Sequence, residues 1–225
     1  MAAHFHKDYF FQVLSNAIIV DGTKAAVMGD MDLVLELIAR VYYYEEDNGP
    51  SHLLDTKNSF GYNMLHYSVV HKHLPMVELL LNSKADCDCT TDDDGLYTPL
   101  HLAIMYYNVF LDPLDISVSH KLLSNPTHLK VIEILLEQGA DVNAQNAAGD
   151  SALMLACKNN HLDLIKMLAE RNQTNIHLTN QDGDTALHVA CAKHLKQAIP
   201  ILLACNASVI LKNRSGHTPI FTACN

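Results

Sequence analysis

Five tetrapeptides of one type punctuate the chain: NMLH from Asn63, TPLH from Thr98, SALM from Ser151, TALH from Thr185 and TPIF from Thr218. Their starts lie 35, 53, 34 and 33 residues apart. A chain with such a period is built from copies of one small unit. Each copy covers the apolar face of the next, so the core runs along a stack.

Each tetrapeptide follows a glycine, in turn Gly61, Gly95, Gly149, Gly183 and Gly216. Each of the first four leads to a second apolar segment, HLPMVELLL from His73, HLKVIEILL from His128, HLDLIKMLA from His161 and HLKQAIPILL from His194. Three of these segments reach KADC, GADV or NASV, which restarts the cycle. Glycine permits positive φ at a hairpin tip, Ser or Thr caps the first helix, and proline fits the first helical turn, where its missing N–H costs nothing. Leu and Ala at three- and four-residue spacings then predict two short amphipathic helices per unit.

The pattern resembles the ankyrin-repeat family, with its period near 33 residues and T-P-L-H-x-A signature. The stretch EQGADVNAQNAAGDSALMLACKNNHLDLIKMLAE follows the family pattern most fully, and the resemblance covers roughly residues 22 to 225. It implies an all-α solenoid of stacked helix pairs with β-hairpin turns. Residues 1–21 are expected to form an N-terminal capping segment, with a first unit at about 22–57 containing DGTKAAVMGDMDLVLELIARV from Asp21. The final unit, about 213–225, is incomplete because no second helix follows TPIFTACN, which suits a fragment of a longer protein.

The register also accounts for residues that would otherwise suggest chemistry. Cys157, Cys191 and Cys224 take the seventh place of their units, where others have Val69 and Ile104, so they read as packed thiols. Cys87 and Cys89 lack a second matching pair and form no zinc framework. His66, His101 and His188 share the fourth place, and the resemblance implies that they tie adjacent turns together by hydrogen bonds. Without a nucleophile and carboxylate converging on one histidine, or a GxGxxG or GxxxxGK loop, neither a catalytic residue nor a metal or cofactor is expected.

Charge narrows the partners. Fifteen basic against 25 acidic residues give a formal net charge of -10, which opposes phosphate backbones and anionic membranes. No apolar run reaches about 18 residues and no secretory pattern opens the chain, so an intracellular, cytoplasmic or nuclear protein is expected, with delivery into a host cell by a specialised system left open.

Individuality lies where the repeat rule is broken. The 53-residue interval implies an insertion at about 109–127. All nine tyrosines and five of six phenylalanines fall within residues 1–110. Phe60 and Tyr62 flank Gly61, Leu96 and Tyr97 follow Gly95 with one residue more than the other units use, and Met105, Tyr106, Tyr107 and Phe110 end a first helix or follow it. In an ankyrin array, tips and first helices line the concave groove, so these residues are candidate partner contacts, with Asp92, Asp93 and Asp94 as an acidic rim for a basic segment.

The expected function is therefore a protein-interaction module that binds a protein or peptide through its groove and inserted loop. One subclass regulates a transcription factor in the manner of ankyrin inhibitors of the Rel type. The alternative is the targeting domain of a larger enzyme or host-directed effector. The resemblance also makes Asn143, which ends a GADVN turn, a candidate for asparagine hydroxylation.

Overall fold

A computed structural model describes residues 12–48, 53–107 and 126–224. Residues 12–28 run as one helical stretch with a π-type turn at Ile18–Gly22, ending in α1 (Thr23–Met28). Then follow α2 (Met31–Asn48), α3 (Met64–Val70), α4 (Leu74–Asn82), α5 (Pro99–Met105) and α6 (Pro126–Glu137). The array continues with α7 (Ala152–Lys158), α8 (Leu162–Ala169), α9 (Ala186–Ala192), α10 (Ala198–Ala204) and α11 (Pro219–Cys224). The helices α1, α3, α5, α7, α9 and α11 pack in series as an inner row, with α4 against α6 and α8 against α10 in an outer row.

The inner helices are six or seven residues long, too short to persist alone in water. Burial between layers sustains them. Leu65, Leu100, Leu153 and Leu187 hold one buried place in successive inner helices, while Val77 and Leu80, Ile132 and Leu135, Ile165 and Leu168 fill the outer row. At the first end, Leu14 and Ile18 of the leading stretch are buried. Gly22 permits a close approach there, since a Cβ on it would lie 2.6 Å from Met64 Sδ.

The expected β-hairpin turns are not formed. No described residue lies in a strand, and pairing reduces to one isolated antiparallel bridge, Gln145 with Ser151. The reason is a side chain inside each loop. Asn146 Oδ1 accepts from the N–H groups of Ala148 (3.0 Å) and Asp150 (2.9 Å), using donors that a longer ladder would need. Asn58, Asn180 and Asn213 do the same for residues two and four positions on. Each of these asparagines stands three residues before a tip glycine with φ between 76° and 78°, at Gly61, Gly149, Gly183 and Gly216.

Bonds between layers fix the stacking register. Asp92, Ala147, Gln181 and Arg214 each donate a backbone N–H to the preceding tip, at Gly61, Gly95, Ala148 and Asp182. A second series runs along the loops. Asp55 accepts from Asp86 N–H, Asp88 from Asp141 N–H and Asn143 from Asn175 N–H, at 2.8, 2.9 and 2.7 Å. Asn143 also donates through Nδ2 to Gln173 O. The candidate hydroxylation residue is thus engaged at both ends of its amide.

The three fourth-place histidines form a third series. At each, Nδ1 accepts the N–H of the helix-capping residue 3.2 Å away, from Asn63, Thr98 and Thr185. The proton therefore sits on Nε2, which donates to the next unit at Cys89 O, Ala144 O and His217 O. Met154 and Phe221 hold this place in the other units without such a bond.

Two predictions follow from these bonds. Asn146→Ala leaves two loop N–H groups without their acceptor and is expected to cost about 1–3 kcal/mol, read as a lower urea midpoint. Burial pushes the imidazole of His66 down to about 4 and that of His101 below its ordinary value. Both are neutral in the fold, whereas unfolded histidine protonates near 6.5. Both contributions are complete above about pH 6.5 and weaken as pH falls below it; that of His66 is lost as pH falls towards 4, by about 2 kcal/mol at pH 5. Denaturation at pH 7.5, 6 and 5 should show this slope, reduced in a His66→Gln variant.

Candidate partner-binding surface

The sequence-derived contact residues divide into three environments. Phe60 is 73% exposed and Leu96 45% exposed, each on a loop tip. Tyr62, Tyr97, Met105 and Tyr106 are half-buried and pack against the core. Tyr107 is 3% exposed and belongs to the core, so it offers a partner no surface. Its ring lies 5.7 Å from His128 and 5.1 Å from His161, and its backbone carbonyl accepts a hydrogen bond from His128 Nδ1. Phe110 and residues 109–125 of the expected insertion lie outside the described residues.

The two exposed apolar residues stand on stiff supports. Around Phe60, Asn58 clamps the loop, while Asn58 Nδ2 donates to the Tyr67 hydroxyl at 2.9 Å. The Tyr62 ring meets His66 edge-on and lies tilted against Tyr67, each 5.6 Å away. A Cβ on Gly61 would lie 2.4 Å from Asp92 N, so the first two tips are in direct contact.

The third unit builds its tip differently. Thr91 takes the place of the clamping asparagine and bonds across the loop, from its N–H to Tyr97 O (2.8 Å) and from Tyr97 N–H to its hydroxyl (2.9 Å). Asp93 then accepts from the Thr91 hydroxyl and from Gly95 N–H. Gly95 does not adopt the left-handed conformation expected of a tip glycine. Leu96 does, with φ 47°. Gly95 is required for space instead, since a Cβ on it would fall 2.0 Å from the Tyr97 ring.

The acidic rim is partly engaged within the protein. Asp92 pairs with Lys57 at 2.6 Å, an exposed contact of small energetic weight. Asp93 also accepts from the Tyr62 hydroxyl at 3.2 Å. Burial opposes its charge, but bonds from Thr91, Gly95 and Tyr62 together hold its carboxyl below the ordinary value. The same environment, through burial and the Asp93 charge, pushes the Tyr62 phenol up to about 12. Asp94 is exposed, and the Asp92 side chain remains 64% exposed beside Lys57.

The sequence reading missed Lys57, Thr91 and the clamping asparagines. Alignment on the tip glycines would have revealed the latter, since Asn58, Asn146, Asn180 and Asn213 all stand three residues before one. Lys57 carried no comparable signal. Its contact with Asp92 spans 35 residues and depends on how the loops stack.

Of the three seventh-place cysteines, Cys157 and Cys191 are buried as expected, whereas Cys224 is exposed and not packed. Burial pushes the thiols of Cys89 and Cys157 up to about 12, which suppresses the nucleophilic thiolate. Among the described residues no group of three or more His, Cys, Asp or Glu could hold a metal ion, and no helix is long and apolar enough to cross a membrane.

Comparison with known proteins agrees with this architecture. Family models described as ankyrin repeats match residues 47–103 and 119–213. The chain is 25% identical over 205 residues to the nuclear factor NF-kappa-B p105 subunit of Gallus gallus, covering 88% of this chain and 18% of that protein. It is 29% identical over 153 residues to the B-cell lymphoma 3 protein homolog of Mus musculus, covering 59% of this chain and 34% of that one. Similarity to the E3 ubiquitin-protein ligase KEG of Arabidopsis thaliana is 35% over 78 residues, 35% of this chain and 5% of the ligase. The chain thus spans less than a fifth of the NF-kappa-B p105 relative. Ankyrin repeats are non-catalytic modules of protein–protein interaction, and this chain belongs to the ankyrin-repeat family.

Proposed function

We propose that the array binds another protein or peptide across its N-terminal tips, with Phe60 and Leu96 as apolar contacts and Asp92 and Asp94 facing a basic residue of the partner. The exposure of Phe60 on a clamped tip carries this reading. A large aromatic held rigidly in water loses little conformational freedom on binding and gains much from burial, as do interface hot spots. Tyr106 and Met105 extend the surface along α5, and the inserted segment that follows is a candidate flank. Tyr107 is left out because it is buried.

The similarity to an NF-kappa-B subunit supports regulation of a Rel-type transcription factor as the subclass. A second reading is favoured by the ligase relative, in which such repeats accompany an enzyme; there the array would choose what a catalytic region acts on. Both readings place recognition on the array.

Affinity capture with quantitative mass spectrometry should recover a partner with the native chain and lose it with a Phe60→Ser, Asp94→Lys variant of unchanged melting temperature. A Tyr42→Ser, Tyr43→Ser variant, altered on exposed residues of α2, should retain it. Equal capture by all three forms would refute the tip surface.

A further inference from the structure

We propose that Leu96 sets the specificity of the tip surface by receiving an apolar side chain of a partner segment whose neighbouring residue is basic. The proposal rests on the interaction reading above and names the partner chemistry within it.

The argument starts from a local conflict. In four tips the left-handed residue is glycine: Gly61, Gly149, Gly183 and Gly216. In the third unit it is Leu96, at φ 47°. An L-residue with a branched side chain meets steric opposition there that glycine escapes. Burial compensates only in part, because the residue remains 45% exposed. The residue thus disobeys both the backbone preference and the solvent preference of its position. Such conflicts concentrate where a surface serves another molecule.

The surrounding loop is arranged to hold that conformation. Leu96 N–H donates to Asp93 O at 3.3 Å, Asp93 Oδ1 accepts from Gly95 N–H at 3.1 Å, and Thr91 closes the loop onto Tyr97. The next tip is tied on by Ala147 N–H to Gly95 O at 2.9 Å. Leu96 is therefore presented on a fixed base, which lowers the ordering cost of binding.

Its surroundings define the partner. Phe60, on the preceding tip, supplies the other exposed apolar surface, and the two tips are joined through Asp92 N–H to Gly61 O. Asp94 is exposed, and the Asp92 side chain, 64% exposed, is shared with Lys57. An apolar residue seated on Leu96 and followed by Arg or Lys would meet these carboxylates, whereas an acidic neighbour would be repelled.

The probe is the capped peptide Gly-Ser-Leu-Arg-Leu-Ser-Gly, titrated to millimolar concentration into the isotope-labelled full chain and followed by NMR. Chemical-shift changes are expected at Phe60, Asp94 and Leu96. Binding should weaken about tenfold in Leu96→Gly, the affinity that burial of one leucine supplies. The same peptide with Glu for Arg, or with Ser for both Leu, should cause no shifts. Leu96→Gly should also raise the melting temperature by about 2 °C, through relief of the left-handed leucine. A lower melting temperature would show that Leu96 serves the fold and overturn the proposal. Shifts at Phe60 and Asp94 that are indifferent to Leu96→Gly would overturn it too, while leaving the tip surface as an interaction site. An absence of tip shifts with every peptide, at the same concentrations, would overturn both.

Discussion

No layer of this array is stable by itself. An inner helix of six or seven residues has too few internal hydrogen bonds to offset the cost of its own nucleation. It persists because the next layer removes Leu65, Leu100, Leu153 or Leu187 from water. The loops, the polar bonds between units and the tip surface all inherit their position from that mutual burial.

Directional bonds then select one stacking arrangement. Apolar contact tolerates sliding, but His66 Nε2 has one carbonyl to reach at Cys89, and Asp88 has one N–H to accept from Asp141. Four of the loops also satisfy themselves through an internal asparagine and the third unit's through Thr91, which leaves the tips free of a continuous ladder. A tip stiffened from within can carry an exposed Phe60 or Leu96 without collapsing to bury it. Rigidity and exposure come from the same clamps.

The differences between units matter most for recognition. The fourth and fifth units tie Asp150 to Asn180 and Asp184 to Asn213, where the second and third carry Tyr62 and Tyr97. Aromatic and acidic residues thus replace a plain inter-loop bond at the end where Phe60 and Leu96 are exposed. The family supplies the scaffold, and these replacements give one end of it a distinct chemistry.

The repeat, the helix pairs, the capping roles of Thr98, Ser151 and Thr185, and the packed setting of Cys157 and Cys191 were legible in the sequence, because period and spacing encode which face of a short helix must be covered. The expectation of hairpin strands failed because it counted tip glycines and overlooked the asparagine three residues before four of them. The candidate site was read less well. Tyr106 and Tyr107 are adjacent, yet one is half-buried and the other is core, a difference decided by how α5, His128 and His161 pack around them. Likewise Asp92, Asp93 and Asp94 are identical as letters, and only the stacked loops assign one to Lys57, one to Tyr62 and one to solvent. The sequence by itself determined that the chain stacks and which residues lie on the buried faces, since that follows from short-range periodicity. Tertiary structure alone decided which polar and aromatic groups remain available, because their partners come from loops more than thirty residues away.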